Sequence, residues 1–276
     1  TEDDYGTSYY FRGAVKNNYV QFANKCWRIV RIVGDGSVKL VLHNDNTSNA
    51  ANPCSSANNS TNAAFARYSG TTHTSAFNTN RNDNAYVGFM YGTAGASDYA
   101  TTHANTNKST ILTNLETWYT NNLASYESKL ADIIWCNDKS TVSGGSGYGT
   151  NVTNYAAYNR LDSTKQPTLK CPNDNNGGKL SKFTVDDTTN GNGNLTCKIG
   201  LLTADEIKQL HYKTIIFPTV GHPIFRDTVV YQKFSCYKKG FVDRKIRPLE
   251  RLVDTYYTVE QLKLDDKNSE QESKFN

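Results

Sequence analysis

The chain has 276 residues and a mass of 30.8 kDa, enough to bury a sizeable core, yet only 37% of it is hydrophobic and 20% charged. The remainder is neutral and polar, dominated by Asn, Thr, Ser and Gly, and no apolar run approaches the ~20 residues of a spanning helix, which excludes a coiled coil and a helical membrane protein. Residues 1–206 carry 17 Lys and Arg against 17 Asp and Glu, while 207–276 carry 13 against 9; the main body is neutral and lacks the clustered basic charge that captures nucleic acid.

The chain starts Thr1-Glu2-Asp3-Asp4, neither an initiator Met nor a secretion signal, and reads as processed or excised from something longer. Residues 8–15, 19–23, 26–33 and 37–42 are then rich in aromatic and β-branched side chains and separated by polar breaks. Gly34-Asp35-Gly36 tolerates the positive φ of a tight hairpin. These signals predict a four-stranded antiparallel meander. Residues 43–107 are dense in Asn, Thr, Ser and Ala, with a short apolar run at 85–91 that reads as a strand and a surface loop around 50–60.

From Ser109 the period changes. Ile111, Leu112, Leu115, Trp118, Tyr119 and Leu123 form the stripe of an amphipathic helix, and 125–131 reads as its continuation. Residues 132–136 and 196–202 read as buried strands, and 143–147 (Ser-Gly-Gly-Ser-Gly) as loop. Thr203-Ala204-Asp205-Glu206 fits a capping box, so a helix should start there. The strongest boundary is compositional: residues 1–206 hold 29 Asn and 17 Gly, and residues 207–276 hold 2 of each. A mixed apolar and basic section covers 212–253, and 260–276 forms a polar tail with too few apolar residues to order itself.

No motif carries chemistry with convincing spacing. Gly145-Ser146-Gly147-Tyr148-Gly149 lacks the third glycine of a phosphate-binding turn at the right offset, and 144–148 misses the nucleophile elbow. Asn173-Asp174-Asn175-Asn176-Gly177 resembles the front of a calcium loop, but Pro172 and Lys179 break the pattern. Irregular loops with Asp83, Asp174, Asp186 or Asp187 could still offer hard oxygens to calcium, although turn chemistry explains these clusters more simply. The five histidines, His43, His73, His103, His211 and His222, show no helical metal pairing, and no cofactor is expected. Six widely spaced cysteines without a C-x-x-C favour disulfides over zinc and an extracytoplasmic setting, with Cys236 set apart in the divergent C-terminal part.

What remains is a surface argument. Eighteen Tyr, more than Phe and Trp together, stand among Asn, Ser, Thr and Gly, the chemistry that paratopes use. Tyr148, Asn151, Asn154, Tyr155 and Tyr158 form the densest cluster and are the candidate ligand-binding residues. Asn46, Asn58, Asn59, Asn107, Asn151 and Asn194 head N-x-S/T sequons, which matter only in a eukaryotic secretory pathway.

Several motifs together resemble an uncharacterised domain of secreted or surface-anchored proteins of Gram-positive, often gut-dwelling, bacteria. They are the run from Asp4-Tyr5-Gly6-Thr7-Ser8 into Cys26-Trp27-Arg28-Ile29-Val30, then Gly34-Asp35-Gly36-Ser37, Tyr86-Val87-Gly88-Phe89-Met90-Tyr91-Gly92, Ile134-Trp135-Cys136-Asn137-Asp138, Pro167-Thr168-Leu169-Lys170-Cys171 and Ile199-Gly200-Leu201-Leu202-Thr203-Ala204-Asp205-Glu206. The resemblance covers residues 1–206. It implies an extracellular location, a lectin-like α+β architecture and an adhesive or recognition role, and it supplies no catalytic residues to transfer. By the same analogy, Cys26 pairs with Cys54 and Cys136 with Cys171. Members continue with an Ala-Gly-Gly turn, a Trp and Ser-Pro motif and strands ending near Val-Arg-Pro. Here Ile207-Lys208-Gln209-Leu210-His211 follows instead, and only Ile246-Arg247-Pro248 echoes the ending. The departure coincides with the composition break and suggests a frameshift or recombination after about residue 207, leaving exposed edges and apolar surface.

The expectation is therefore an α+β chain with a domain at 1–206, a divergent segment at 207–259 and a polar tail at 260–276. Its role is non-catalytic extracellular recognition or adhesion toward a host or bacterial surface glycan or protein. The rival readings are a secreted hydrolase assembled from distant residues such as His73, His103 and Asp138, and a structural module without a ligand.

Overall fold

A computed structural model describes residues 1–10, 18–58, 75–78, 82–142, 145–172, 181–185 and 198–209. Predictions that fall elsewhere lie outside the described residues: the 212–253 section, the 260–276 tail, the 173–177 calcium-like run, and Cys197, Cys236, His73, His211, His222, Asp174, Asp186 and Asp187. The architecture is α+β, with small antiparallel sheets and short helices.

In chain order the first strands are β1 (Glu2–Asp3), β2 (Gly6–Thr7), β3 (Tyr9–Tyr10), β4 (Tyr19–Phe22), β5 (Lys25–Ile32) and β6 (Val38–Asn44). β4 and β5 form a two-residue hairpin in which Phe22 faces Lys25, and Ala23 and Asn24 both take positive φ, 51° and 56°. That is the turn whose twist matches flanking strands. The sheet is not the expected meander. β6 occupies one edge of β5, while β3 and β4 lie one after the other along the opposite edge, Tyr10 facing Arg31 and Tyr19 facing Arg28. The first strand thus pairs with the third, because β5 is long enough to receive both. Gly34, in the β5–β6 turn, is fixed by close approach: a Cβ there would fall 2.5 Å from the Gly6 nitrogen.

Next come β7 (Met90–Tyr91), α1 (Tyr99–Thr102), β8 (Asn107–Lys108), α2 (Thr110–Asn122), β9 (Trp135–Cys136), α3 (Ala156–Tyr158), β10 (Lys182–Phe183) and α4 (Ala204–Gln209). β7 pairs with β8 and β9 with β10. The apolar run at 85–91 is strand only at β7 and opens instead with a 3₁₀ turn, Asn84–Tyr86. The expected helical continuation of α2 is a 3₁₀ segment, Ala124–Lys129. No strand forms over 198–202.

α2 begins where predicted. Ser109 caps it, its hydroxyl accepting from the Leu112 amide, and Ile111, Leu112, Leu115, Trp118 and Tyr119 are buried. One stripe serves two cores. Its first half packs with Phe77, Phe89, Met90, Ile133, Trp135 and Phe183. Its second half, Trp118 and Tyr119 with Leu123, packs on Trp27 and the inner face of the first sheet, including Val20, Phe22, Leu40 and Leu42. Ile199 touches both clusters. Disulfides Cys26–Cys54 and Cys136–Cys171 tie loops to these layers, the pairing that the resemblance implies.

The capping box at the head of α4 forms in full. The Thr203 hydroxyl accepts from the Glu206 amide and the Glu206 carboxylate accepts from the Thr203 amide, each at 3.0 Å. The same carboxylate, 3% exposed as a residue, accepts from Lys39 Nζ at 2.6 Å and from Arg31 Nε at 3.2 Å. Arg31 also pairs with Asp3, and Lys39 Nζ sits 4.5 Å from the centre of the Trp135 ring. The neighbouring carboxylate, Asp205, takes Arg160 Nε at 2.9 Å and Nη2 at 2.8 Å and the Thr168 amide at 3.1 Å. Arg160 reaches Asp138 as well, at 2.7 Å.

Burial alone would raise the Glu206 carboxyl, but the Lys39 and Arg31 charges override it and hold it below the usual value. A depressed carboxyl stabilises the fold above the unfolded-state value, and that stabilisation is lost as pH falls through the folded value. Glu206→Gln, which leaves buried Lys39 and Arg31 short of a counter-charge, should lower the unfolding free energy by about 3 kcal/mol in urea titrations at neutral pH. It should also flatten the acid limb of the stability profile.

Candidate functional site

Four of the five candidate ligand-binding residues stand on or beside one surface loop, and the fifth lies beneath it. The loop is closed at its base by the Thr141–Tyr155 bridge, by Val142 donating to the Asn154 carbonyl at 2.9 Å and by Ala156 donating to the Ser140 carbonyl at 2.7 Å. Asn151 and Asn154 are exposed and Tyr148 is half-buried. Tyr158 follows on α3, half-buried, with its hydroxyl donating to Asp162 at 3.1 Å. Tyr155 is only 2% exposed and is a support for the loop, not part of its surface.

The support is a buried polar layer that begins at Asn84. Its position is set by Asp83, whose carboxylate accepts from the Ala85 amide at 2.8 Å and from the Gly95 amide at 2.9 Å. Both Asp83 oxygens thus serve turn geometry, the simpler of the two sequence readings. The Asn84 side-chain amide donates to the carbonyls of Tyr148, Gly149 and Asn151 at 3.2, 2.9 and 2.9 Å, and its oxygen accepts from Tyr155 Oη at 2.7 Å. One side chain with no exposed surface therefore holds three backbone carbonyls of the loop. Burial, with the Asp83 charge adding to it, pushes the Tyr155 phenol well above its ordinary value, so it remains a donor to Asn84.

Gly147 is the second anchor. It takes φ +68°, and a Cβ there would fall 2.5 Å from the Tyr99 ring, so only glycine lets the loop lie on that ring. Its amide donates to Thr153 Oγ1 at 3.0 Å and its carbonyl accepts from His103 Nε2 at 2.8 Å. A carbonyl partner places the imidazole proton on Nε2. Burial, followed by the nearby Lys139 ammonium, lowers the His103 value to about 3, against the opposing bond to Gly147. The imidazole is neutral.

Lys139, with no exposed surface, completes the layer. Its ammonium donates to the carbonyls of Met90 and His103 at 3.2 and 3.1 Å and to Asn105 Oδ1 at 2.5 Å, while its own carbonyl accepts from Tyr99 Oη at 2.7 Å. This cation ties β7, the end of α1 and the turn at Asn105 to the base of the loop. Sequence reading missed Asn84 and Lys139, since a single Asn or Lys carries no local sign of burial.

Of the residues named for the rival hydrolase reading, His103 and Asp138 lie among the described residues, and each has structural partners. His103 is spent on the loop backbone beside a cation. Asp138 accepts from the amide and hydroxyl of Ser140 and pairs with Arg160. Among the described residues no three His, Cys, Asp or Glu side chains come together as a metal site, and no helix is long and apolar enough to cross a membrane. The chain matches no protein-family model, no curated protein and no solved structure.

Asn84→Ala removes a hub that leaves three loop carbonyls and Tyr155 Oη without this partner, and it should cost about 2–3 kcal/mol of stability. Faster amide hydrogen exchange confined to 145–155 and the segments packed on it is the accompanying readout. His103, depressed from 6.5, contributes a stability that is full above that value and is lost as pH falls toward about 3. Its imidazole carbon-bound protons should therefore show no titration in NMR between pH 5 and 8.

Proposed function

We propose that the chain is a non-catalytic recognition module of an extracellular bacterial surface protein and that the 145–158 loop is its ligand-binding surface, suited to neutral glycans. The observation that carries this reading is the division of labour around the loop. Asn84, His103, Lys139, Tyr155 and the Tyr99 ring fix its backbone from below, while Tyr148, Asn151 and Asn154 face outward or stand half-buried at its surface. A loop held in one shape loses little entropy on binding. An aromatic ring supplies a stacking face, and amides supply both donors and acceptors for hydroxyl groups.

Two disulfides support an oxidising compartment. The motif resemblance over 1–206 supports the surface-protein setting and a lectin-like architecture. The neutral charge of this region suits an uncharged ligand better than a phosphate or nucleic acid.

Glycan-array screening of the full chain, followed by NMR titration of any hit, tests the assignment. Saturable binding with shifts at 145–158 is expected. Tyr148→Ala and Asn151→Ala should each weaken it about tenfold, ~1.4 kcal/mol, with unchanged thermal unfolding. Binding that ignores both substitutions would move the site elsewhere, and the absence of any glycan or surface-protein ligand would leave a structural module.

A further inference from the structure

The chemistry of the 145–158 loop is narrower than its amide content suggests. These residues include no Asp, Glu, Lys, Arg or His. The next charged residue along the chain, Arg160, is held by Asp138 and Asp205 at 2.7 and 2.8 Å. A surface without fixed charge gives a carboxylate, phosphate or sulfate nothing to pair with, so it suits a neutral ligand.

Within the exposed stretch 150–152 stands Val152. Its side chain is 61% exposed, and the other exposed large hydrophobic residues among those described all lie between Tyr5 and Val38. The backbone on either side of it is fixed. The Asn151 carbonyl accepts from the Asn84 side-chain amide at 2.9 Å and from the Thr153 hydroxyl at 3.2 Å, and the Asn151 amide donates to the Tyr148 carbonyl at 3.3 Å. Thr153 is buried and also accepts from the Gly147 amide. Valine is stiff at its first side-chain torsion, so a held backbone presents its two methyl groups with little freedom left to lose on binding.

Carboxamides flank these methyls. Asn151 and Asn154 are exposed and neither side chain bonds a described residue, whereas Asn44, Asn46 and Asn84 spend theirs on backbone carbonyls. Each free carboxamide offers two donors and an acceptor in one plane, the complement of another amide group. The backbone from 151 to 154 reaches at most ~10 Å, so the amides and the methyls meet the same sugar unit or its neighbour. An unsubstituted hexose engages Tyr148 and the amides but sets hydroxyl groups against Val152. An acetamido group adds an amide for Asn151 or Asn154 and a methyl for Val152.

We infer that the loop selects N-acetylated hexosamines among neutral glycans, with Val152 receiving the acetamido methyl and the flanking carboxamides its amide. The inference rests on the binding-loop reading above and sets the ligand class within it.

NMR titration of the full chain with two neutral trisaccharides tests it. Tri-N-acetylchitotriose and cellotriose share one linkage and differ by an acetamido group in place of a hydroxyl on each sugar. The N-acetylated ligand should bind at least about tenfold more tightly, with shifts at 145–158. Val152→Thr, which keeps the shape but exchanges a methyl for a hydroxyl at an exposed position, should weaken it about threefold and leave cellotriose binding unchanged. Equal affinities with shifts at 145–158 would overturn the N-acetyl assignment while the binding loop stands. So would a preference that survives Val152→Thr, or tighter binding of a fucosylated or sialylated trisaccharide, which would place selectivity in a deoxy-sugar methyl or a carboxylate. Failure of both trisaccharides in a chain whose loop responds to another glycan overturns the inference alone. Shifts confined to other residues, or no response to any glycan, would remove the binding-loop reading together with it.

Discussion

One buried carboxylate organises the N-terminal sheet. Glu206 closes the capping box that starts α4 and at the same time receives Lys39 and Arg31 from two strands of the sheet. Arg31 extends the cluster to Asp3, bringing the β1–β2 hairpin down beside Gly34. Removing charges from water is costly, and their mutual attraction offsets that cost only where the remaining donors and acceptors are also satisfied. Here two anions, Asp3 and Glu206, meet two cations, and the spare Glu206 acceptor sites take a backbone amide. The next residue, Asp205, acts in the other direction, gripping Arg160 and, through it, Asp138. Two adjacent side chains on one helical turn thereby bind distant parts of the chain together.

The amide-rich composition has a structural explanation. Asn44 donates to the Pro53 and Asn58 carbonyls and accepts from the Asn46 amide, while Asn46 bonds Asn24 and Ala50. Asn18 and Asn137 bond backbone groups at Ile29 and Phe89 in the same way. A carboxamide has one acceptor oxygen and two donor hydrogens in a fixed plane, so it can replace a missing peptide partner where the backbone is irregular. Buried loops are ordinarily disfavoured because their backbone groups go unpaired. In this chain the Asn side chains supply those pairs, allowing long loops to be folded into the body and tied by the Cys26–Cys54 bridge. The same kind of bonding orders the 145–158 loop, where the Asn84 amide holds the Gly149 and Asn151 carbonyls.

The two hydrophobic clusters are joined by α2, whose stripe begins in one and ends in the other, and by Lys39 lying over Trp135. The loop cradle rests on the first cluster through Met90, and the charge cluster borders the second through β5 and β6. Rigidity at the proposed binding loop is thus continuous with the main packing of the protein.

Local signals in the sequence were reliable where a few neighbouring residues decide the outcome. The α2 stripe, its start after Ser109 and the Thr203–Glu206 box all follow from side chains within one or two helical turns. The disulfide pairs were accessible through motif resemblance, because spacing alone admits many connectivities. Strand order was not legible: residues 8–15 and 19–23 look alike, and only the length of β5 shows that β3 and β4 can share its edge. Tyr155 resembled its exposed neighbours Asn151 and Asn154 in composition, yet its place under the loop depends on Asn84, 71 residues away. By itself the sequence determined where α2 and α4 start, where the β5–β6 hairpin turns and which residue types were available for polar bonding. Only the tertiary structure decided which polar groups are buried, since partners such as Arg31 and Glu206, 175 residues apart, are brought together by packing rather than by local conformational preference.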